Sequence, residues 1–244
     1  MQKEIEHYWY SSWFDSPYYH ILYKDRDQEE AQGFMNHLTA FLQLPNKAEI
    51  LDLACGKGRH SIYLNALGYD VIGADLSSSS IAYAKQFEND TLHFKEHDMC
   101  LPFPKKFDAV FNLFTSFGYF EAEEDNLRTI KAIKAELKSG GCGVIDFLNA
   151  ETVIKNLVAS ETKEIDGISF HIEKYIKDGH IIKDIHFEHN NIPYNFTERV
   201  KALTLKDFQN YFSEAGVTLK HCFGDYKLSP FDAATSERLI LIFN

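Results

Sequence analysis

Residues 49–77 read EILDLACGKGRHSIYLNALGYDVIGADLS, and this stretch decides the fold. The apolar run Ile50-Leu51-Asp52-Leu53 predicts a strand. Gly56 and Gly58 follow it, and without a Cβ they let backbone lie directly against a ligand. Ser61 to Leu67 carries Ile62, Leu64, Ala66 and Leu67 at helical spacing and stops at Gly68, a residue suited to the left-handed C′ position. A second apolar strand, Asp70 to Ala74, delivers Asp75 at its C-terminal end. In a parallel nucleotide-binding sheet a carboxylate there accepts hydrogen bonds from two ribose hydroxyls. Strand, glycine turn, helix, strand and acid together predict a nucleoside-binding βαβ unit.

The residues also narrow the nucleoside. The dinucleotide fingerprint is G-x-G-x-x-G, and here the third position is Ser61. Asp52 stands at the strand end just ahead of the turn, where a pyrophosphate on the helix N-terminus is repelled and a ligand bearing ammonium and sulfonium groups is attracted. That favours S-adenosylmethionine over NAD. The run Asp52-Leu-Ala-Cys-Gly-Lys-Gly58 resembles the first motif of class I methyltransferases, and Asp75-Leu76-Ser77 resembles their ribose-binding acidic loop. His97-Asp98-Met99 matches the position at which that family contacts adenine. The resemblance thus implies a donor site of Asp52, Ala54, Cys55, Gly56, Gly58, His60, Asp75, Leu76, Asp98, Met99, Asn112 and Leu113.

The rest of the chain is read outward from this unit. Leu92 to Phe94 predicts a third strand, Phe107 to Asn112 a fourth and Cys142 to Phe147 a fifth, with helices between them from Ser77 to about Phe87 and from Glu123 to Lys138. Ser139-Gly-Gly141 closes the second of these helices, and Asn149 to Ala159 can form another. Thr204 caps a helix that Gly216 stops, and Val217 to Phe223 and Glu237 to Phe243 supply two final strands. This ending resembles the antiparallel pair of methyltransferase sheets. The expected fold is α/β, a Rossmann-like seven-stranded sheet of order 3-2-1-4-5-7-6 with helices on both faces.

Two segments stand outside that core. Residues 1–47 open with Tyr8, Trp9, Tyr10, Trp13, Phe14, Tyr18, Tyr19 and Tyr23, which suit packing onto the core or a lid whose aromatic faces attract a sulfonium. An amphipathic helix from Asp25 to Leu44 follows, with Phe34, Leu38, Phe41 and Leu42 on one face. Residues 161–202 show alternating apolar runs punctuated by Asp-Gly and Asn-Asn turns, the signature of an antiparallel ribbon. The predicted division is therefore a helical, aromatic lid over 1–47, a core over 48–160 and 203–244, and a β-ribbon insertion over 161–202. The ribbon suits either cover for an acceptor or contact between two copies. His171, His180, His186 and His189 fall in it without metal-ligand spacing.

The 244 residues carry a net charge of −11 and no clustered basic stretch, which argues against nucleic acid or anionic membrane as partner. No apolar run reaches membrane-spanning length. The four cysteines lack C-x-x-C spacing and read as free thiols of a reducing compartment, the cytoplasm. The expected activity is methyl transfer from S-adenosylmethionine to N or O of a small molecule. Tyr18, Tyr19, Phe117 and Tyr119 are the pocket candidates. Asn112-Leu-Phe-Thr departs from the N/D-P-P-Y pattern of nucleic-acid-base methyltransferases. In-line displacement at an activated carbon demands alignment rather than a fixed catalytic group, so no catalytic residue is assigned. The competing readings are a nucleoside-binding regulatory protein without catalysis, and an NAD(P)-dependent oxidoreductase. Tyr194–Arg199, "TLKDF" and Ser236-Glu-Arg238 also resemble segments of small-molecule methyltransferases related to sugar N-methylating enzymes.

Overall fold

The structure, a computed structural model, describes residues 9–24 and 28–244. Tyr8, the side chains of Trp9 and Tyr10, and the expected helix start at Asp25 lie outside the described residues. In chain order the elements are α1 (Trp9–Phe14), α2 (Pro17–Leu22), α3 (Gln28–Leu42), β1 (Glu49–Leu53), α4 (Arg59–Ala66), β2 (Asp70–Asp75), α5 (Ser78–Ala84) with a 3-10 turn to Phe87, β3 (Leu92–Glu96), β4 (Phe107–Asn112), α6 (Glu123–Glu136), β5 (Leu137–Leu148), α7 (Ala150–Lys155), β6 (Ser160–Ile165), β7 (Ile168–Lys177), β8 (His180–His189), β9 (Ile192–Lys201), α8 (Leu205–Ala215), β10 (Leu219–Phe223) and β11 (Arg238–Phe243).

These elements divide into two units. The larger joins α3 through α7 to α8, β10 and β11, around a seven-stranded sheet of order β10-β11-β5-β4-β1-β2-β3. β11 runs antiparallel to both neighbours, whereas β1, β2, β3, β4 and β5 pair in parallel. Numbered within the sheet alone, this is 3-2-1-4-5-7-6, the order that the resemblance implies. The strands are nearly apolar throughout because both faces are covered. Phe34, Met35 and Leu38 of α3, Leu64 of α4 and Ile81 of α5 share one buried cluster with Phe111, Val144, Ile240 and Ile242. Side chains alternate along a strand, so Phe243 faces the other way, and there it meets Phe212 of α8.

Local signals explain the boundaries. Ser77 Oγ accepts from the Ser80 N–H and caps α5. Thr204 and Asp207 form a reciprocal capping box at α8, and Gly216 ends that helix with φ of 67°. β5 begins at Leu137 rather than at the expected Cys142. The segment Lys138 to Gly141 loops out of the pairing: Leu137 pairs with Phe107, and the next pair is Cys142 with Ala109. Gly141 lies so close to the Asp108 and Phe107 carbonyls that an added Cβ would sit 3.0 Å from both. The helix expected to reach Ala159 ends at Lys155, and Ala159 instead accepts from the Lys174 N–H.

The smaller unit joins the described residues up to 24 to residues 156–202. Its four strands form an antiparallel meander, β6-β7-β8-β9. The connections are Asp166-Gly167, Asp178-Gly179 and Asn190-Asn191, with φ positive at all six residues, as two-residue hairpins with the strands' own twist require. One face of the meander buries Phe170, Ile172, Ile185 and Phe187 together with Trp13 and Leu22. Two differences from the expected division follow. α3 belongs to the core, whereas the aromatic leader ahead of it belongs with the ribbon.

Candidate active site

The carboxyl edge of β1 and β2 carries the glycine turn. Ala54 and Gly56 have φ of 57° and 55°, and Gly58 caps α4 with φ of 83°. The Gly56 N–H donates to Asp75 Oδ2 at 2.7 Å and the Ser77 N–H to Asp75 Oδ1 at 2.8 Å. The acid that closes β2 is therefore locked to the turn that follows β1. The two glycines differ in purpose. A Cβ on Gly58 would stand 2.5 Å from Phe94 Cε1, so that glycine serves the packing of α4 on β3. A Cβ on Gly56 meets nothing within 4 Å. Open space over a left-handed glycine turn is what close approach of a nucleoside needs.

Asp52 is buried at 1% exposure and accepts from Ser61 Oγ at 2.6 Å. Burial pushes its carboxyl up to about 7; the Ser61 bond opposes this and the charge of Asp75 adds to it. Cys55 beside it is a protonated thiol, raised well above its ordinary value by burial and by the charges of Asp52 and Asp75. Leu76 is 40% exposed. Past β3, Asp98 and Met99 are half-buried, and Asp98 Oδ1 accepts from the Cys100 N–H. Asn112, at the end of β4, is fully buried. Its Nδ2 donates to the Leu53 carbonyl at 3.2 Å and lies 3.5 Å from Met99 Sδ, while its Oδ1 has no hydrogen-bond partner. Leu113 is buried beside it. The sheet thus brings Asp52, Asp75, Asp98, Met99 and Asn112 to the carboxyl ends of β1 to β4, where the strand order reverses and ligands bind in such sheets. Three carboxyls with an unpaired amide oxygen suit a positively charged nucleoside. Among the described residues no group of three or more His, Cys, Asp or Glu side chains is placed to hold a metal ion.

The pocket candidates separate. Phe117 is fully buried and packs on Phe208 with ring centroids 5.4 Å apart; Tyr119 is half-buried. Tyr18 and Tyr19 belong to the smaller unit, where Tyr18 packs on Phe187 and Tyr194 and meets His189 Nδ1 at 3.0 Å.

One network escaped the sequence reading. Asp146 of β5, fully buried, receives the Phe114 N–H at 2.8 Å, Arg238 Nε at 2.8 Å and the Tyr226 hydroxyl at 3.3 Å. Phe114 in turn lies between His60, 4.5 Å away and nearly parallel, and Tyr226 at 5.1 Å. Burial pushes the Asp146 carboxyl above its ordinary value while Arg238 pulls it down, and burial likewise works against the Arg238 charge while the Asp146 carboxylate holds the guanidinium above its ordinary value. A charge inside the apolar run Gly143-Val-Ile-Asp-Phe-Leu148 was the available signal, because a buried acid needs a partner.

Residues 50–141 match the family described as "Methyltransferase domain". Over those residues the chain is similar to a methyltransferase domain. The match agrees with the sheet order, which includes the reversed strand next to the edge. Residues matching the methyltransferase domain run from β1 into β5 and include the whole glycine turn, Asp75, Asp98 and Asn112. The chain is 34% identical over 133 residues to the putative methyltransferase YqeM of Bacillus subtilis, covering 51% of this chain and 54% of that one. It is 27% identical to the dTDP-3-amino-3,4,6-trideoxy-alpha-D-glucopyranose N,N-dimethyltransferase of Streptomyces venezuelae, covering 59% and 62%. The alignments thus span little more than half the length of these curated relatives. A crystal structure of an S-adenosylmethionine-dependent methyltransferase from Clostridium acetobutylicum superposes with a TM-score of 0.77 at 20% identity, over 93% of this chain and 95% of that one. Among the described residues no helix is long and apolar enough to cross a membrane.

Proposed function

We propose that this chain binds S-adenosylmethionine at the carboxyl edge of β1 to β4 and transfers its methyl group to a small molecule, at nitrogen or oxygen. The observation that carries this reading is the Asp75 carboxylate held by the Gly56 N–H, which sets a ribose acceptor beside an open glycine turn. The donor supplies a methyl carbon already activated by positive sulfur. The chain's own residues supply the rest. Asp75 accepts from the ribose hydroxyls, Asp98 and Met99 flank the adenine, and Asp52 lends negative charge to the side that takes the ammonium and sulfonium. Alignment and exclusion of water then provide most of the acceleration. The Streptomyces relative is an amino-sugar N,N-dimethyltransferase, which favours nitrogen as the accepting atom. A neutral amine needs no base to attack. The four free thiols suit a reducing compartment such as the cytoplasm.

Calorimetric titration separates the readings. S-adenosylmethionine and its demethylated product are expected to bind, and NADH is not; binding of NADH alone would overturn the proposal. Asp75→Ala is expected to weaken donor binding by about 1–3 kcal/mol, the scale of a lost charged hydrogen bond. Turnover on a panel of amines, amino sugars and hydroxy acids then distinguishes an enzyme from a nucleoside-binding regulator.

A further inference from the structure

We propose that Asp146 and Arg238 are positioning residues of the donor pocket, holding the Phe114–Thr115 turn left-handed and thereby the Phe114 ring against His60. This rests on the donor reading above and deepens it.

Phe114 and Thr115 leave β4 with φ of 55° and 60°. Two consecutive residues with a Cβ in that region are strained, and a β-branched threonine is a genuine outlier there. Such a turn persists only where its surroundings over-determine it, and here they do. The Phe114 N–H reaches Asp146 Oδ2 at 2.8 Å, and the Thr115 N–H reaches the Asp146 carbonyl at 3.0 Å. Arg238 Nη2 donates to Thr115 Oγ1 at 2.9 Å, while its Nε donates to Asp146 Oδ1 at 2.8 Å. One carboxylate and one guanidinium thus grip both strained residues, backbone and side chain. Arg238 reaches Asp146 diagonally across the sheet, because Ile240 is the residue opposite Asp146 in register.

The turn's consequence lies at its other end. Phe114 stacks on His60 at 4.5 Å and 23°, and the Arg59 guanidinium lies 4.9 Å over the same ring. Arg59 and His60 open α4 directly behind Gly58. A continuous path therefore runs from the ion pair, through the strained turn and one aromatic ring, to the helix that follows the glycine turn. A buried ion pair is a poor source of stability, and this one is arranged to fix a conformation.

The test is calorimetric titration with S-adenosylhomocysteine, performed well below each variant's melting temperature, on the full chain and four variants. Asp146→Asn is expected to weaken binding about tenfold, the scale of one net hydrogen bond. Thr115→Val and Tyr226→Phe each remove a single bond, keep the ion pair, and are expected to weaken binding by smaller factors. In the double variant Asp146→Asn, Thr115→Gly, glycine adopts the left-handed turn without strain, and most of the lost affinity is expected to return. Folded single variants that all bind like the parent, or a double variant no better than Asp146→Asn alone, overturn the proposal. If Asp75→Ala loses affinity while these variants do not, the donor reading stands and this inference falls. If the parent chain does not bind S-adenosylhomocysteine, both fall.

Discussion

Ser61 Oγ sits 2.6 Å from Asp52 Oδ2, in the place where a dinucleotide fingerprint has its third glycine. The hydroxyl gives the buried carboxylate its hydrogen bond, yet burial still pushes the Asp52 carboxyl up to about 7, with Asp75 adding to the rise. The folded chain therefore holds this proton more tightly than the unfolded chain does. Its stabilising contribution is complete below the unfolded value near 4 and is lost as pH rises towards 7. Asp52→Asn keeps an acceptor for Ser61 and removes the buried charge. The variant is expected to be more stable than the parent at pH 8, by at most about 4 kcal/mol of unfolding free energy, and to converge with it near pH 4. A variant less stable than the parent at pH 8 would show that the charge is not the cost.

Glu136 separates that effect from donor binding. Its carboxyl is also pushed up to about 7 by burial, against one bond from the Phe103 N–H, and its Oε2 has no hydrogen-bond partner. Glu136→Gln is expected to flatten the fall in stability between pH 5 and pH 7 in the same sense. S-adenosylmethionine affinity should distinguish the two sites. In the parent and in Glu136→Gln it should rise as pH passes about 7, because the cationic donor favours the ionised Asp52; in Asp52→Asn that rise should vanish. Identical pH profiles in all three proteins would remove Asp52 from the donor's surroundings.

The two turn glycines make opposite predictions. Gly58→Ala drives a Cβ to 2.5 Å from the Phe94 ring at a φ of 83°, so clash and backbone strain add. A loss of about 3 kcal/mol in urea unfolding is expected. Gly56→Ala incurs strain alone, about 1–2 kcal/mol, because its Cβ meets open space. That open space is the ground for expecting donor affinity to suffer more in Gly56→Ala than in folded Gly58→Ala. Equal donor affinity in Gly56→Ala and the parent would mean that no ligand approaches that side of the turn.

These pairs also show what could be read from residues alone. The glycine turn, Asp75 and the helix stops at Gly68 and Gly216 were legible because each is a local rule: spacing, a capping side chain, a residue that tolerates positive φ. The ribbon's turns were legible for the same reason, since Asp-Gly and Asn-Asn declare themselves in two residues. What stayed hidden was non-local. Phe114 and Thr115 carry no left-handed preference, and their conformation is imposed by Asp146 from the next strand and Arg238 from the strand beyond it. The grouping of the aromatic leader was hidden as well. Apolar rings at those positions suit a lid or a packed helix equally, and nothing local names their partner nearly two hundred residues away.

That partner is Glu198, which yields the last prediction. Glu198 Oε1 accepts from Trp13 Nε1 at 2.7 Å and from the Tyr23 hydroxyl at 2.6 Å, and its Oε2 lies 3.5 Å from Lys183 Nζ. Burial pulls the Lys183 ammonium below its ordinary value, and the charge of Glu198 opposes that pull. One carboxylate thus joins α1, the end of α2 and the middle of the ribbon. Glu198→Ala removes two hydrogen bonds and the carboxylate beside a largely buried cation, a loss of about 3–5 kcal/mol to this unit. Glu198→Gln keeps an oxygen for Trp13 and Tyr23 and removes only the charge, so its loss should be clearly smaller. Both tryptophans of the chain, Trp9 and Trp13, lie in α1, so tryptophan fluorescence during urea unfolding reports on this unit. The expected order of midpoints is parent, then Glu198→Gln, then Glu198→Ala. Coincident midpoints would mean that the aromatic cluster holds the leader on the ribbon without the carboxylate.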